Sequence, residues 1–139
     1  MRDLYHNVLS IQVLSPVNST ALKTSASIDL QGYISLTVVF ALGLFADVLL
    51  GAIYWTLSLQ HSDDNSTFIP AATTDCNGET SSYVVNSASL DRTAYSIGYN
   101  GAKRYIQAMA TPTGSTASGM PIGIVALKGK PAYIPVVTP

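Results

Sequence analysis

Apolar and polar residues alternate with a period of two in several short stretches of this chain, and none shows the three-to-four spacing of a convincing amphipathic helix. Strands are predicted at Val8–Leu14, closed by Ser15-Pro16 because proline cannot continue a ladder, and at Ser25–Leu30, where Ala26, Ile28 and Leu30 would share one face. Two more are predicted at Tyr33–Leu42 and Ile53–His61, paired as a hairpin about the apolar tip Gly43–Ala52. The acidic run Ser62-Asp63-Asp64-Asn65-Ser66 then predicts a turn into Thr67-Phe68-Ile69-Pro70. After the short strand Tyr83–Val85, Tyr95–Tyr99 and Lys103–Met109 flank Asn100-Gly101, the dipeptide of a type I′ turn, and predict a second hairpin. Thr111–Gly119 has loop composition, and Pro121–Leu127 gives a last strand.

Short strands spaced by turns indicate an all-β fold, an antiparallel β-sandwich or jelly-roll-like barrel of about seven to nine strands. At 139 residues the chain has the length of one domain, 1–139, with an extended N-terminal segment (about 1–7) and an extended C-terminal tail (about 129–139). The tail ends in Ala132-Tyr133-Ile134-Pro135-Val136-Val137-Thr138-Pro139, too rich in proline for a central strand, and is expected to lie along a surface of its own or another subunit.

Leu36–Leu57 tests this reading, because it is about as long as a membrane span and carries a single charge, Asp47. That charge would cost about 2.5–3.5 kcal/mol at the centre of a span, which its apolar neighbours could offset. The β-branched and aromatic clusters Thr37–Phe40 and Ile53–Thr56, with Gly43 and Gly51 between them, favour two buried strands instead.

Composition points to association. Charged residues make up 11% of the chain, against about 25% in soluble domains, which leaves little charge to keep a monomer apart from its neighbours. Seven Lys/Arg face eight Asp/Glu, and the basic residues are scattered, so no nucleic-acid or acidic-lipid footprint is predicted. Cys76 is the single cysteine, which excludes an intrachain disulfide and a four-cysteine metal site. The N-terminus Met-Arg-Asp-Leu-Tyr-His lacks the apolar stretch of a secretory leader, so no secretory route is expected, and Asn18-Ser19-Thr20 and Asn65-Ser66-Thr67 read as turns.

Candidate chemistry is sparse. His61-Ser62-Asp63 has the residue types of a hydrolase triad, but consecutive residues cannot converge as base, nucleophile and orienter, and His6 is the only other imidazole. No catalytic residue, cofactor or metal site is predicted, and His61 reads as a partly exposed strand-end residue. Asp63, Asp64 and Asn65 could offer oxygens to calcium but lack the glycine and terminal glutamate of an EF-hand loop. The aromatics Tyr54, Trp55, Tyr95, Tyr99 and Tyr105 read as cross-strand packing pairs. The remaining candidate is a protein interface: Leu44, Phe45, Val48, Leu49 and Leu50 in the tip, with Tyr133, Ile134 and Val136 in the tail. The tip could equally fold back over its own sandwich, with one helical turn at Ala46–Leu50.

Several stretches carry a resemblance: Met1-Arg2-Asp3-Leu4-Tyr5, Asp29-Leu30-Gln31-Gly32-Tyr33, Leu59-Gln60-His61-Ser62-Asp63-Asp64, Gly98-Tyr99-Asn100-Gly101-Ala102-Lys103-Arg104-Tyr105 and the closing Leu127-Lys128-Gly129-Lys130-Pro131. In these the chain resembles small proteins encoded in the head-morphogenesis regions of tailed phages and prophages, from which it departs in its more apolar tip. The resemblance implies a β-rich, non-enzymatic accessory virion protein of the head surface: a capsid cement or decoration protein that binds the major capsid protein and itself, as trimers, with no nucleic-acid or membrane partner. A neck or tail accessory protein and a carbohydrate- or host-binding sandwich are the alternatives.

Overall fold

The computed structural model describes residues 4–49, 51–77 and 80–131. Ten strands form two antiparallel sheets. One sheet has the order β1 (Val8–Ser19), β10 (Met120–Pro131), β4 (Tyr33–Leu42), β8 (Ala94–Tyr99). In the other, β9 (Tyr105–Thr113) and β5 (Tyr54–Ser62) are central. The short β2 (Lys23–Thr24) and β3 (Ile28–Asp29) pair with β9, while β6 (Ile69–Pro70) and β7 (Ser82–Val85) pair with β5. The pairings nest: β1 with β10, β2 and β3 with β9, β4 with β8, β5 with β7. A single antiparallel ribbon folded over itself in this way, then closed by β10 on β4 and β9 on β5, is a jelly roll. The strand count exceeds the expected seven to nine because two ribbon strands are each split into two short pieces.

Alternation builds the core. In β4, Leu36, Val38, Phe40 and Leu42 point inward, and Trp55, Leu57 and Leu59 of β5 meet them from the other sheet. Ile122, Ile124 and Ala126 of β10, Ile97 and Tyr99 of β8, and Ile106, Ala108 and Ala110 of β9 complete it. Each fully buried Leu, Ile, Val or Phe contributes about 1.5–3 kcal/mol relative to exposure.

Both expected hairpins are replaced by crossings between sheets. β4 and β5 double back but do not pair, since β4 lies between β10 and β8 while β5 lies between β9 and β7. Two strands that each bury one face are satisfied by facing one another across a sandwich as well as by lying side by side. Asn100-Gly101 likewise makes no type I′ turn: neither residue has positive φ, the Asn100 N–H donates to the Asp75 carbonyl, and β8 and β9 belong to different sheets. No helix among the described residues is long and apolar enough to cross a membrane, and Leu36–Leu57 is divided between β4, the tip and β5.

Two smaller expectations also change. β1 does not stop at Pro16 but runs to Ser19 through register shifts between Gln12 and Leu14 and between Leu14 and Val17. An edge strand tolerates proline because its outward N–H groups need no partner, and the bulges turn Val13 into the core. In Ser25–Leu30 the alternation fails: Ser25 is buried and Ala26 exposed, because the Ser25 hydroxyl accepts the Ala108 N–H and its N–H donates to the Ala108 carbonyl, tying β2 and β3 to β9.

Candidate functional site

The outward face of the β1-β10-β4-β8 sheet carries no charge. Its rows run Gln12, Val125, Val39, Ser96; then Ser10, Leu127, Thr37, Gly98; then Gly123, Ala41, Ala94. Pro16 lies over Gly123, where an added Cβ would meet its ring at 3.3 Å, so this corner is flat and apolar. It runs into a recess of about 260 Å³ lined by Pro16, Val17, Ala41, Leu42, Gly43, Pro121, Ile122 and Gly123. The opposite sheet presents rows of a different character: Thr24, Met109, Ser58, Ser82 and Thr111, Thr56, Val84. Those rows are likewise uncharged but hold five hydroxyls in seven positions, whereas the rows of the first face hold three hydroxyls and the Gln12 amide in eleven, with the Asn77 side chain over Gly98.

The tip beside that recess is divided. Leu44 and Val48 are exposed at 61% and 71%, while Leu49 is buried and Phe45 packs against the core. Asp47 fixes the arrangement: its carboxylate accepts the N–H of Ser118 and of Gly119, both at 2.9 Å, tying the tip to the β9–β10 loop. Those two N–H groups, Ser118 first, hold the carboxyl below the ordinary aspartate value. The described tip residues form bends and no helical turn. Of the sequence-predicted interface residues, the structure brings Leu44 and Val48 to the surface and turns Phe45 and Leu49 inward; Leu50, Tyr133, Ile134 and Val136 lie outside the described residues.

At the opposite end, where the β5–β6 turn meets the β8–β9 connection, a second recess of about 260 Å³ is lined by His61, Ser62, Asp63, Asp64, Thr67, Ile69 and Lys103. His61 is buried, at 6% exposure, rather than partly exposed as predicted, because it sits on the inner face of β5 beside Tyr99 of β8. The Lys103 N–H donates to Tyr99 Oη at 3.2 Å, and Tyr99 Oη lies 2.9 Å from His61 Nδ1. Burial pushes the Tyr99 phenol up to about 12, so it remains a donor.

The turn beside it is held from within. Asp64 Oδ1 accepts the N–H of Ser66 at 2.9 Å, the N–H of Thr67 at 2.8 Å and the hydroxyl of Ser62 at 2.8 Å, and these donors, Thr67 first, lower its carboxyl to about 2. Asp63 pairs with Lys103, and Asn65, at φ 57°, accepts the Ser27 hydroxyl. One oxygen of each of Asp63, Asp64 and Asn65 is thus engaged by a protein group, and no group of three or more His, Cys, Asp or Glu side chains that could hold a metal ion is found among the described residues. The Arg104–Asp29–Gln31 cluster stands near this end: Arg104 donates to both carboxylate oxygens of Asp29, at 2.8 and 2.7 Å, and lowers its carboxyl to about 2.

These features define an antiparallel jelly-roll sandwich with one uncharged sheet face and a small polar recess at its end. In architecture it is similar to the SPBc2 prophage-derived protein YomS, at TM-score 0.53 and 9% identity over 89% of this chain and 94% of YomS. It is also similar to the PBSX exported protein XepA, at TM-score 0.53 and 13% identity over 92% of this chain; there it spans 39% of the larger protein. At these identities the likeness is one of fold. No protein-family model and no curated protein matches the sequence.

Proposed function

We propose that this chain is a structural accessory protein of a phage particle that works by binding other protein subunits, and in the most specific form of that reading a capsid cement protein. The observation that carries the proposal is the uncharged outer face of the β1-β10-β4-β8 sheet, continuous with the apolar recess beside Leu44 and Val48. Such a face is costly to leave in water and cheap to desolvate, which suits a protein partner with an equally uncharged, closely fitting surface. A nucleic acid or an acidic lipid surface would need a basic patch, and these rows contain none. Jelly rolls serve both capsid and sugar-binding domains, so the fold alone does not choose; the face and the fold likeness to two prophage-encoded proteins support the choice.

In this reading the face meets the major capsid protein, self-association as a trimer brings further subunits together, and Tyr133, Ile134 and Val136, outside the described residues, add apolar side chains to the interface. The protein acts as a brace on the head exterior and performs no chemistry. Mass spectrometry of purified particles, with copy number counted against the major capsid protein, tests it. A copy number close to that of the capsid protein supports cement, a number set by a single ring favours the neck or tail, and absence from the particle overturns the reading.

A further inference from the structure

The sandwich has four sheet edges, and an unpaired edge turns alternate N–H and carbonyl groups toward any extended chain that comes beside it. Three of them are short or covered. Along β8 the Tyr83 hydroxyl donates to the Ser96 carbonyl, and the 75–77 loop is bonded to Asn100 just past its end. β2 and β3 are two residues each and carry Lys23 and Asp29, while β6 ends in Pro70. In the four-residue β7 the Thr80 hydroxyl holds both the N–H and the carbonyl of Ser82. β1 is different: it has twelve residues, and its protection is confined to one half. There the register shifts lie, Pro16 removes a donor, and the Ala26 N–H occupies the Val13 carbonyl at 2.9 Å. The other half, Val8–Gln12, runs in unbroken register against Val125–Gly129 and contains no charge, proline or glycine. Among the described residues β1 pairs with β10 alone, so the outer side of this half is an open edge.

We propose that Val8–Gln12 pairs with the same segment of a second copy, antiparallel about a two-fold axis at Ser10. The segment is complementary to itself in that register. Leu9 and Ile11 stand opposite the inward-facing Lys128 and Ala126, and Ser10 and Gln12 opposite the outward-facing Leu127 and Val125. Pairing about Ser10 sets Leu9 beside Ile11 of the second copy, Ser10 beside its own counterpart, and Val8 beside Gln12. Each inward apolar residue then meets another, and no charge enters the contact. A register shifted by one residue would put the core of one sandwich on the outer face of the other, and this register alone engages the whole open segment. Leu9 and Ile11 are only half-buried within one chain, and a strand laid against them completes their cover. The edge also borders an apolar recess of about 360 Å³ lined by Leu4, Tyr5, Val8 and Ser10, with Leu4 and Tyr5 exposed at 65% and 67%. The contact goes beyond the face-mediated binding proposed above: it leaves that face uncovered and joins two four-stranded sheets into one continuous surface. So short a pairing buries well under the roughly 1,200 Å² of a stable complex, so the edge alone does not hold dilute chains together and closes between copies kept side by side.

The test is cysteine cross-linking of the full chain under a mild oxidant at about 1 mM, the effective concentration of closely tethered neighbours. The native Cys76 is buried and does not compete. Ser10 and Gln12 are exposed and Val8 is half-buried, so the fold tolerates a cysteine at each. Residues directly opposite in an antiparallel pair have Cβ atoms about 4.5–5.5 Å apart, which a disulfide spans after a small adjustment. Ser10→Cys, on the axis, should therefore form a disulfide dimer at least about ten-fold faster than Gln12→Cys, whose counterpart is Val8. Val8→Cys and Gln12→Cys should each dimerise slowly alone and, when combined, form the mixed dimer at least about five-fold in excess of either homodimer. A contact through the sheet face does not follow this register, so the cross-linking pattern and particle binding succeed or fail separately. The proposal is overturned if Ser10→Cys cross-links no faster than Gln12→Cys, or if the combined variants give their three dimers in statistical proportion.

Discussion

Replacing Tyr99 with Phe isolates one oxygen in the centre of the polar end of the sandwich. The ring stays and its burial with it, so the apolar contribution is unchanged; what goes is the hydroxyl that accepts the Lys103 N–H and shares a hydrogen bond with His61 Nδ1. Each such hydrogen bond has a net worth of about 0.5–1.5 kcal/mol, and a buried group left without a partner costs about 1–3 kcal/mol. Tyr99 is 1% exposed, so water does not replace the lost oxygen without rearrangement. The expected destabilisation is about 2–3 kcal/mol, which corresponds to a fall in Tm of roughly 6–12 °C. Urea unfolding should show a lower midpoint with an unchanged slope. A loss under about 0.5 kcal/mol would mean that this hydroxyl does not bridge β8, β5 and the β8–β9 connection.

Further outcomes follow from the same geometry. Gly114→Ala should destabilise by about 2 kcal/mol or more, because φ is +80° and a Cβ would come within 2.3 Å of the Ala52 carbonyl, whereas Gly51→Ala, with open space around it, should be nearly neutral in thermal unfolding. Leu49→Ala should cost about 2–5 kcal/mol by opening a core cavity, while Leu44→Ser with Val48→Ser should leave the unfolding midpoint unchanged and weaken association. Asp64 and Asp29 have carboxyls held near 2 in the fold, against an ordinary value of 3.8. Their contribution to stability is therefore fully present above that ordinary value and is lost as the pH falls from there toward 2. Urea midpoints between pH 5 and 2 should decline in the wild type and decline less steeply in Asp64→Asn and Asp29→Asn; parallel curves would contradict the assignment.

The strands themselves were legible in the sequence. Tyr33–Leu42 matches β4, Ile53–His61 and Tyr83–Val85 come within a residue of β5 and β7, and the alternation in each sorts core from surface. Their partners were not legible, because a period of two states which side is buried and is silent about which neighbour supplies the ladder. Asn100-Gly101 carries the composition of a tight hairpin, yet both strands it joins find better burial in opposite sheets, and tertiary packing overrides the local signal. Pro16 misled in the same way, since its cost depends on the strand lying at an edge, a property of the whole sheet. At the functional surfaces, hydrophobicity singled out the tip but could not divide Leu44 and Val48 from Phe45 and Leu49, a division made by the bonds of Asp47 to Ser118 and Gly119. The uncharged face was written in the sequence as a shortage of charge, visible as a bulk property and invisible as a place. The burial of His61, expected as a partly exposed strand-end residue, is not legible in the sequence because its partner Tyr99 stands 38 residues away, a distance that no local motif spans.

Binding of other subunits by the outer face of the β1-β10-β4-β8 sheet can be broken by charge. Val39 and Val125 stand directly opposite one another in the middle of that face, so Val39→Glu with Val125→Lys adds a matched pair that the ladder accepts and a docked partner must desolvate. The most direct measurement is sedimentation of the wild type and this double variant, alone and with purified particles. The expected result is a self-associated, particle-bound wild type and a variant that is monomeric and unbound with its unfolding midpoint preserved; a variant that assembles and binds as the wild type does would show that this face is not the binding surface.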